Sequence, residues 1–146
     1  MSLTNLSEIK MSLRIKSQRE KVYELRDAFP ELSIIVKYNN FIDYVDQNRN
    51  ITYYHINRIR LASGSENDHE VFEVVSYFCG GGSNFLDLIY CYYNEDDTDP
   101  VAIEAESYYN ALTFGKPPIS LSSGREIDDF DVRNISFYCI LDWEKE

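Results

Sequence analysis

Few residues in this sequence have the types and spacing that chemistry requires, and each group also has a plainer reading. Cys79 stands directly before Gly80-Gly81-Gly82. A thiol there could act as a nucleophile if His55 or His69 served as its base, because only the thiolate attacks efficiently. No local signature surrounds Cys79, and a cysteine in an apolar run ordinarily packs as a small hydrophobe. The glycines could cradle a phosphate, but a P-loop needs a following Lys-Ser or Lys-Thr, and the chain continues Ser83-Asn84. A glycine-rich hairpin turn is the preferred reading. Asp68, His69 and Glu70 offer metal-type ligands, yet the second histidine at helical spacing is missing. No residue set calls for a metal or any other cofactor, and no catalytic constellation is assigned.

The acidic runs are more suggestive. Glu95-Asp96-Asp97-Thr98-Asp99 is rich in oxygen ligands but lacks the glycine and distal glutamate of a calcium loop. Asp128-Asp129-Phe130-Asp131 is a second run, with an aromatic ring inside it. Carboxylates on two loops can occupy a basic groove at phosphate-like intervals. Tyrosines occur as adjacent pairs, Tyr53-Tyr54, Tyr92-Tyr93 and Tyr108-Tyr109. On a strand one member of each pair faces outward, where tyrosine supplies contact area at low entropic cost. The expected partner-binding set is therefore Tyr92, Tyr93, Glu95, Asp96, Asp97, Asp99, Asp128, Asp129, Phe130 and Asp131.

Charge supports that direction. The formal net charge is −11, yet residues 1–30 hold six basic side chains against four acidic ones, which leaves −13 downstream. Such a body repels nucleic-acid phosphates, so direct nucleic-acid binding is disfavoured. It steers toward a basic protein instead. This expectation fails if the carboxylates are dispersed, or are neutralised by Arg58, Arg60, Arg125 and Arg133.

The elements that must position these groups follow from periodicity. Asn5 with Glu8 reads as a capping box. Met11, Ile15, Gln18, Val22, Leu25 and Phe29 then recur every three or four residues, and Pro30 ends the run. A long helix is expected over about 5–29, with Leu6, Ile9 and Leu13 as a shorter second stripe. Beyond Pro30 the pattern becomes short apolar and aromatic runs. Strands are expected at Leu32–Tyr38, Ile51–Leu61, Val71–Cys79, Phe85–Tyr93 and Ile135–Trp143. Phe41–Asp46 fits either a helical turn or a strand, and Val101–Phe114 starts as a strand and turns helical toward Tyr108–Leu112. The stretch 115–131, with Pro117, Pro118 and Gly124, is the candidate mobile loop.

These elements imply an α+β fold in which the N-terminal helix packs on an antiparallel meander of about five or six strands. At 146 residues the chain suits a single domain over 1–146. Cys79, Cys91 and Cys139 are an odd number with no CxxC spacing, and are read as buried thiols. No apolar run approaches the ~20 residues that span a bilayer. With no signal-peptide pattern at the N-terminus, the expected location is cytoplasmic. The functional expectation is an acidic binding protein of the inhibitor or immunity type. The alternatives are a sheet domain with a Tyr/Phe-lined ligand pocket, or a small enzyme using Cys79 with a histidine.

Overall fold

The computed structural model describes residues 3–94 and 99–145. In chain order the elements are α1 (Leu3–Ala28), α2 (Ile35–Gln47), β1 (Tyr53–His55), α3 (Ile56–Ser63), α4 (Asp68–Cys79), β2 (Asp87–Tyr92), β3 (Val101–Ala102), α5 (Ala105–Phe114) and β4 (Ile135–Ile140). The fold is mixed α+β with a four-stranded antiparallel sheet in the order β1-β4-β2-β3, not a meander of five or six strands. Two compact units are present: Met1–Asp87 with Cys139–Glu146, and Leu88–Tyr138.

In the first unit the long N-terminal helix appears as expected, ending at Ala28 just before Pro30. It starts at Leu3, so Asn5 is inside the helix and is not its cap. Its predicted stripe is buried at Ile15, Gln18 and Val22, and the one polar member is satisfied. Gln18 Nε2 donates to the Ser83 carbonyl at 3.0 Å, and Ser83 Oγ donates to Gln18 Oε1 at 2.6 Å. That pairing removes the penalty of a polar group in the core. The second stripe, Leu6, Ile9 and Leu13, is exposed. α1 packs on α2, and Arg19 reaches Asp43 at 2.7 Å and Asp46 at 3.3 Å on that helix.

Three expected strands are helical. Leu32–Tyr38 runs into α2, where Ile35, Tyr38, Phe41, Ile42 and Val45 are buried along one face. Val71–Cys79 lies in α4, with Val71, Val74, Val75 and Phe78 buried at the three-and-four spacing of a helix. Asn67 caps α4, its side chain accepting from the Glu70 N–H at 2.9 Å. Ile51–Leu61 yields only the three residues of β1 before α3 begins. The switch occurs at His55, whose Nδ1 accepts from the Arg58 N–H at 3.3 Å as an N-cap. Gly64 closes α3 in the left-handed conformation at φ 69°. Rings of Phe41, Tyr54, Phe78, Phe85 and Trp143 make a continuous aromatic core, with neighbouring centroids 4.9 to 6.1 Å apart.

The second unit is smaller. β2 and β3 pair antiparallel, with Cys91 opposite Ala102 and Tyr92 opposite Val101. The helical turn expected at Tyr108–Leu112 is the middle of α5. The stretch 115–131 is irregular, held by single bridges of Ile103 to Ser120 and of Ile119 to Glu126.

Candidate partner-binding face

α5 packs with its small side chains inward. Ser107 and Ala111, one turn apart, are its buried residues, while Tyr109, Leu112 and Phe114 are 57%, 49% and 69% exposed. A surface helix ordinarily buries its largest apolar residues. Here the inward positions are fixed by polar anchoring instead. Ser107 Oγ donates to the Glu104 carbonyl at 2.9 Å and accepts from the Ile119 N–H at 3.1 Å. Gly115, at φ 66°, then ends the helix. Tyr109 and Leu112, three apart, thus share the outward face of a well-anchored helix, and Phe114 is exposed at its last residue.

Tyr109 is exposed but not loose. Tyr90 of β2 stacks on Tyr108 at 4.2 Å between centroids, and Tyr109 meets Tyr90 edge-on at 5.8 Å. The Tyr90 and Tyr109 hydroxyls are 3.0 Å apart, within hydrogen-bond distance. Burial pushes the Tyr108 hydroxyl above its ordinary pKa, with Tyr109 and Cys91 adding to the effect. A ring held this way loses little side-chain entropy when a partner covers it. Lys116 lies 5.9 Å from the Phe114 ring centroid, a cation–π contact just past the end of α5.

The second unit is also where the charge is. Residues 88–138 hold ten acidic side chains against three basic ones, a formal −7 of the chain's −11. Glu104, Glu106, Glu126, Asp128 and Asp129 are all exposed.

The residues expected from sequence to bind a partner fall into different settings. Tyr92 is buried at 5% exposure, and its hydroxyl accepts from the Asp131 N–H at 2.8 Å. Tyr93 is half-buried, with its N–H bonded to the Asn134 carbonyl at 2.9 Å. Asp99, Asp128 and Asp129 are exposed, Asp129 in the left-handed region at φ 51°, and Phe130 is half-buried. Asp131 is paired with Arg133 through Nη2 at 2.7 Å and Nε at 3.1 Å. That guanidinium, together with the Arg133 N–H, holds the Asp131 carboxyl down to about 2. Glu95, Asp96 and Asp97 lie outside the described residues. Of the set, Tyr92 and Asp131 are brought together, while Tyr90, Tyr109, Leu112 and Phe114 were missed. The signal for them was available in the helical turn expected around Tyr108, which puts Tyr109 and Leu112 three apart on one face.

The remaining sequence candidates lie in the first unit. Gly80-Gly81-Gly82 joins α4 to β2 rather than turning a hairpin, and the left-handed residue of that connection is Asn84 at φ 48°. A groove of about 380 Å³ beside it is lined by Lys10, Arg14, Lys21, Ser83, Asn84 and Lys145. Most of its cations are already paired. Lys10 bonds Glu144 at 3.0 Å, Lys145 bonds Asp87, and Arg14 donates to the Asp142 carbonyl and stacks over Phe85 and Trp143. A second groove, of about 510 Å³, carries Tyr38 and Tyr77 stacked at 4.3 Å with His69, Phe72 and Glu73, and stands on helices rather than on the sheet. His69 Nε2 is 2.8 Å from Glu73 Oε1, and His55 caps α3. The Cys79 thiol meets the Cys139 thiol, with the sulfurs 3.8 Å apart, rather than a histidine. Among the described residues, no helix is long and apolar enough to cross a membrane. No protein-family model, curated protein or solved structure matches this chain.

Proposed function

We propose that this chain is a stoichiometric binding protein of the inhibitor or immunity type, which engages a basic protein through the unit Leu88–Tyr138. Tyr109 and Leu112 of α5 are its apolar anchors, and the surrounding unit's surplus carboxylates supply long-range attraction. The observation that carries this reading is the packing of α5, with Ser107 and Ala111 inside and the three large side chains in water. Anchors of this kind, aromatic and held before contact, contribute most of the binding energy in protein interfaces. The concentration of −7 in the same unit supports a basic partner and a fast, salt-sensitive association.

The test uses two variants and one lysate. Wild-type protein, a Tyr109→Ser/Leu112→Ser variant and a variant with Asp96, Asp97, Asp128 and Asp129 reversed to lysine are immobilised and exposed to lysate of the source cells at low salt. A basic protein retained by the wild type should be lost from the charge variant and lost on raising salt to about 0.5 M, where screening is nearly complete beyond a few ångströms. The apolar variant should bind it at least tenfold more weakly, the loss of one anchor being worth 2 kcal/mol or more in order of magnitude. Retention of the same protein by all three baits would sink the proposal.

A further inference from the structure

Cys79 is the last residue of α4 and Cys139 lies in β4, sixty positions later, yet their Sγ atoms are 3.8 Å apart. Both belong to the first unit, and both are free thiols. A disulfide needs its sulfurs about 2.05 Å apart, so they must approach by a little under 2 Å. Cys79 is half-buried, at the last residue of its helix. Cys139 is fully buried.

The two thiols are not equivalent. Cys79 is drawn below its ordinary pKa, first by its hydrogen bond with the Cys139 thiol and also by the Lys145 cation, against burial and Asp87. Cys139 is pushed far up by that same contact and by burial. Cys91, in the other unit, is raised to about 11 by burial. The half-buried sulfur of Cys79 is the one a peroxide reaches, its fully buried neighbour Cys139 is placed to resolve, and Cys91 lies in the other unit.

From this placement we infer that Cys79 and Cys139 form a redox-active dithiol, which hydrogen peroxide closes to an intramolecular disulfide and a dithiol reductant reopens. The Cys79 thiolate attacks the peroxide, the O–O bond breaks, and Cys79 becomes a sulfenic acid as one oxygen leaves as water after protonation. The Cys139 sulfur then attacks the Cys79 sulfur, and the sulfenic oxygen leaves as a second water carrying the Cys139 proton. Two thiols lose two electrons, and one hydrogen peroxide is reduced to two waters. Exchange with a dithiol returns both thiols and leaves the reductant oxidised.

Treating the reduced full-length protein with about one equivalent of hydrogen peroxide and then alkylating it should show two protected sulfurs per chain. Peptide mapping should give a single Cys79–Cys139 linkage that dithiothreitol removes. Cys139→Ser should leave a sulfenic acid at Cys79 that dimedone captures. Cys79→Ser should show neither linkage nor capture at the same dose, and Cys91→Ser should keep the linkage. Full alkylation of all three cysteines after peroxide treatment overturns the inference, as does a linkage through Cys91 or between chains. The wild-type map decides the matter even if a variant fails to fold.

Discussion

Tyr54 shows how a single atom can work against the core it sits in. The side chain is fully buried between Phe41 and Tyr44, and its hydroxyl has no hydrogen-bond partner among the described residues. Burial pushes its pKa well above the ordinary tyrosine value, with Tyr44 adding to that effect and Arg58 opposing it. A buried hydroxyl without a partner costs on the order of 1–3 kcal/mol relative to one left in water. Tyr54→Phe keeps the ring contacts and deletes that cost, so the variant should be as stable as wild type or more stable by about 1 kcal/mol in urea unfolding. A loss of more than 1 kcal/mol would mean that the hydroxyl has a favourable role. At this scale the sequence was informative about residue type and poor about direction. It drew attention to paired tyrosines, but Tyr92 points into the unit and Tyr109 points out, and that sense is set by register and helix phase rather than by pairing.

Among the elements, α1 was legible because it keeps one helical period up to Pro30, while β2, β4 and the helical end of the 101–114 segment were legible as short apolar and aromatic runs. α4 was not, since Val71–Cys79 is apolar on nearly every position and reads equally as a central strand. The deciding signal was Asn67 ahead of the run, a cap that only a helix uses. α3 was hidden in the same way, because histidine is an unusual N-cap. That cap makes α3 sensitive to pH. The His55 imidazole is held below the ordinary histidine value, first by burial and then by Arg58, so it stays neutral while capping. The unfolded chain therefore takes up this proton first as pH falls. The cap's contribution is complete above about pH 6.5 and is lost as pH drops through the lower folded-state value. His55→Asn keeps an acceptor at the cap and cannot titrate. The stability gap between variant and wild type should widen in the variant's favour between about pH 7.5 and about pH 5.5. A gap independent of pH would show that the imidazole does not titrate with folding.

For the whole molecule, charge is the property that composition stated most directly and placed least well. The −11 was plain, but its division into a moderately charged unit and a −7 unit depends on where the chain folds back, at Asp87 and Cys139. The arginines that could have cancelled it do so only in part. Arg133 takes Asp131 and Arg60 takes Asp68, while Asp128 and Asp129 remain exposed. Repulsion among the remaining carboxylates weakens the folded state, and salt screens it. Raising ionic strength from about 0.02 M to about 0.2 M should therefore raise Tm, with the Debye length shrinking from roughly 20 Å to roughly 7 Å. A falling Tm would mean that attractive pairs such as Arg19 with Asp43 and Asp46 outweigh the repulsion.

The exposure of Tyr109, Leu112 and Phe114 on α5 has one more outcome, and it concerns the protein when it is alone. Three large apolar side chains in water would ordinarily invite copies of a chain to stick together. Mutual repulsion between negatively charged molecules opposes this, so the carboxylates that draw in a partner also keep the unoccupied protein dispersed. Near the isoelectric point that colloidal protection disappears, and exposed apolar side chains such as these are left free to draw copies of the protein together.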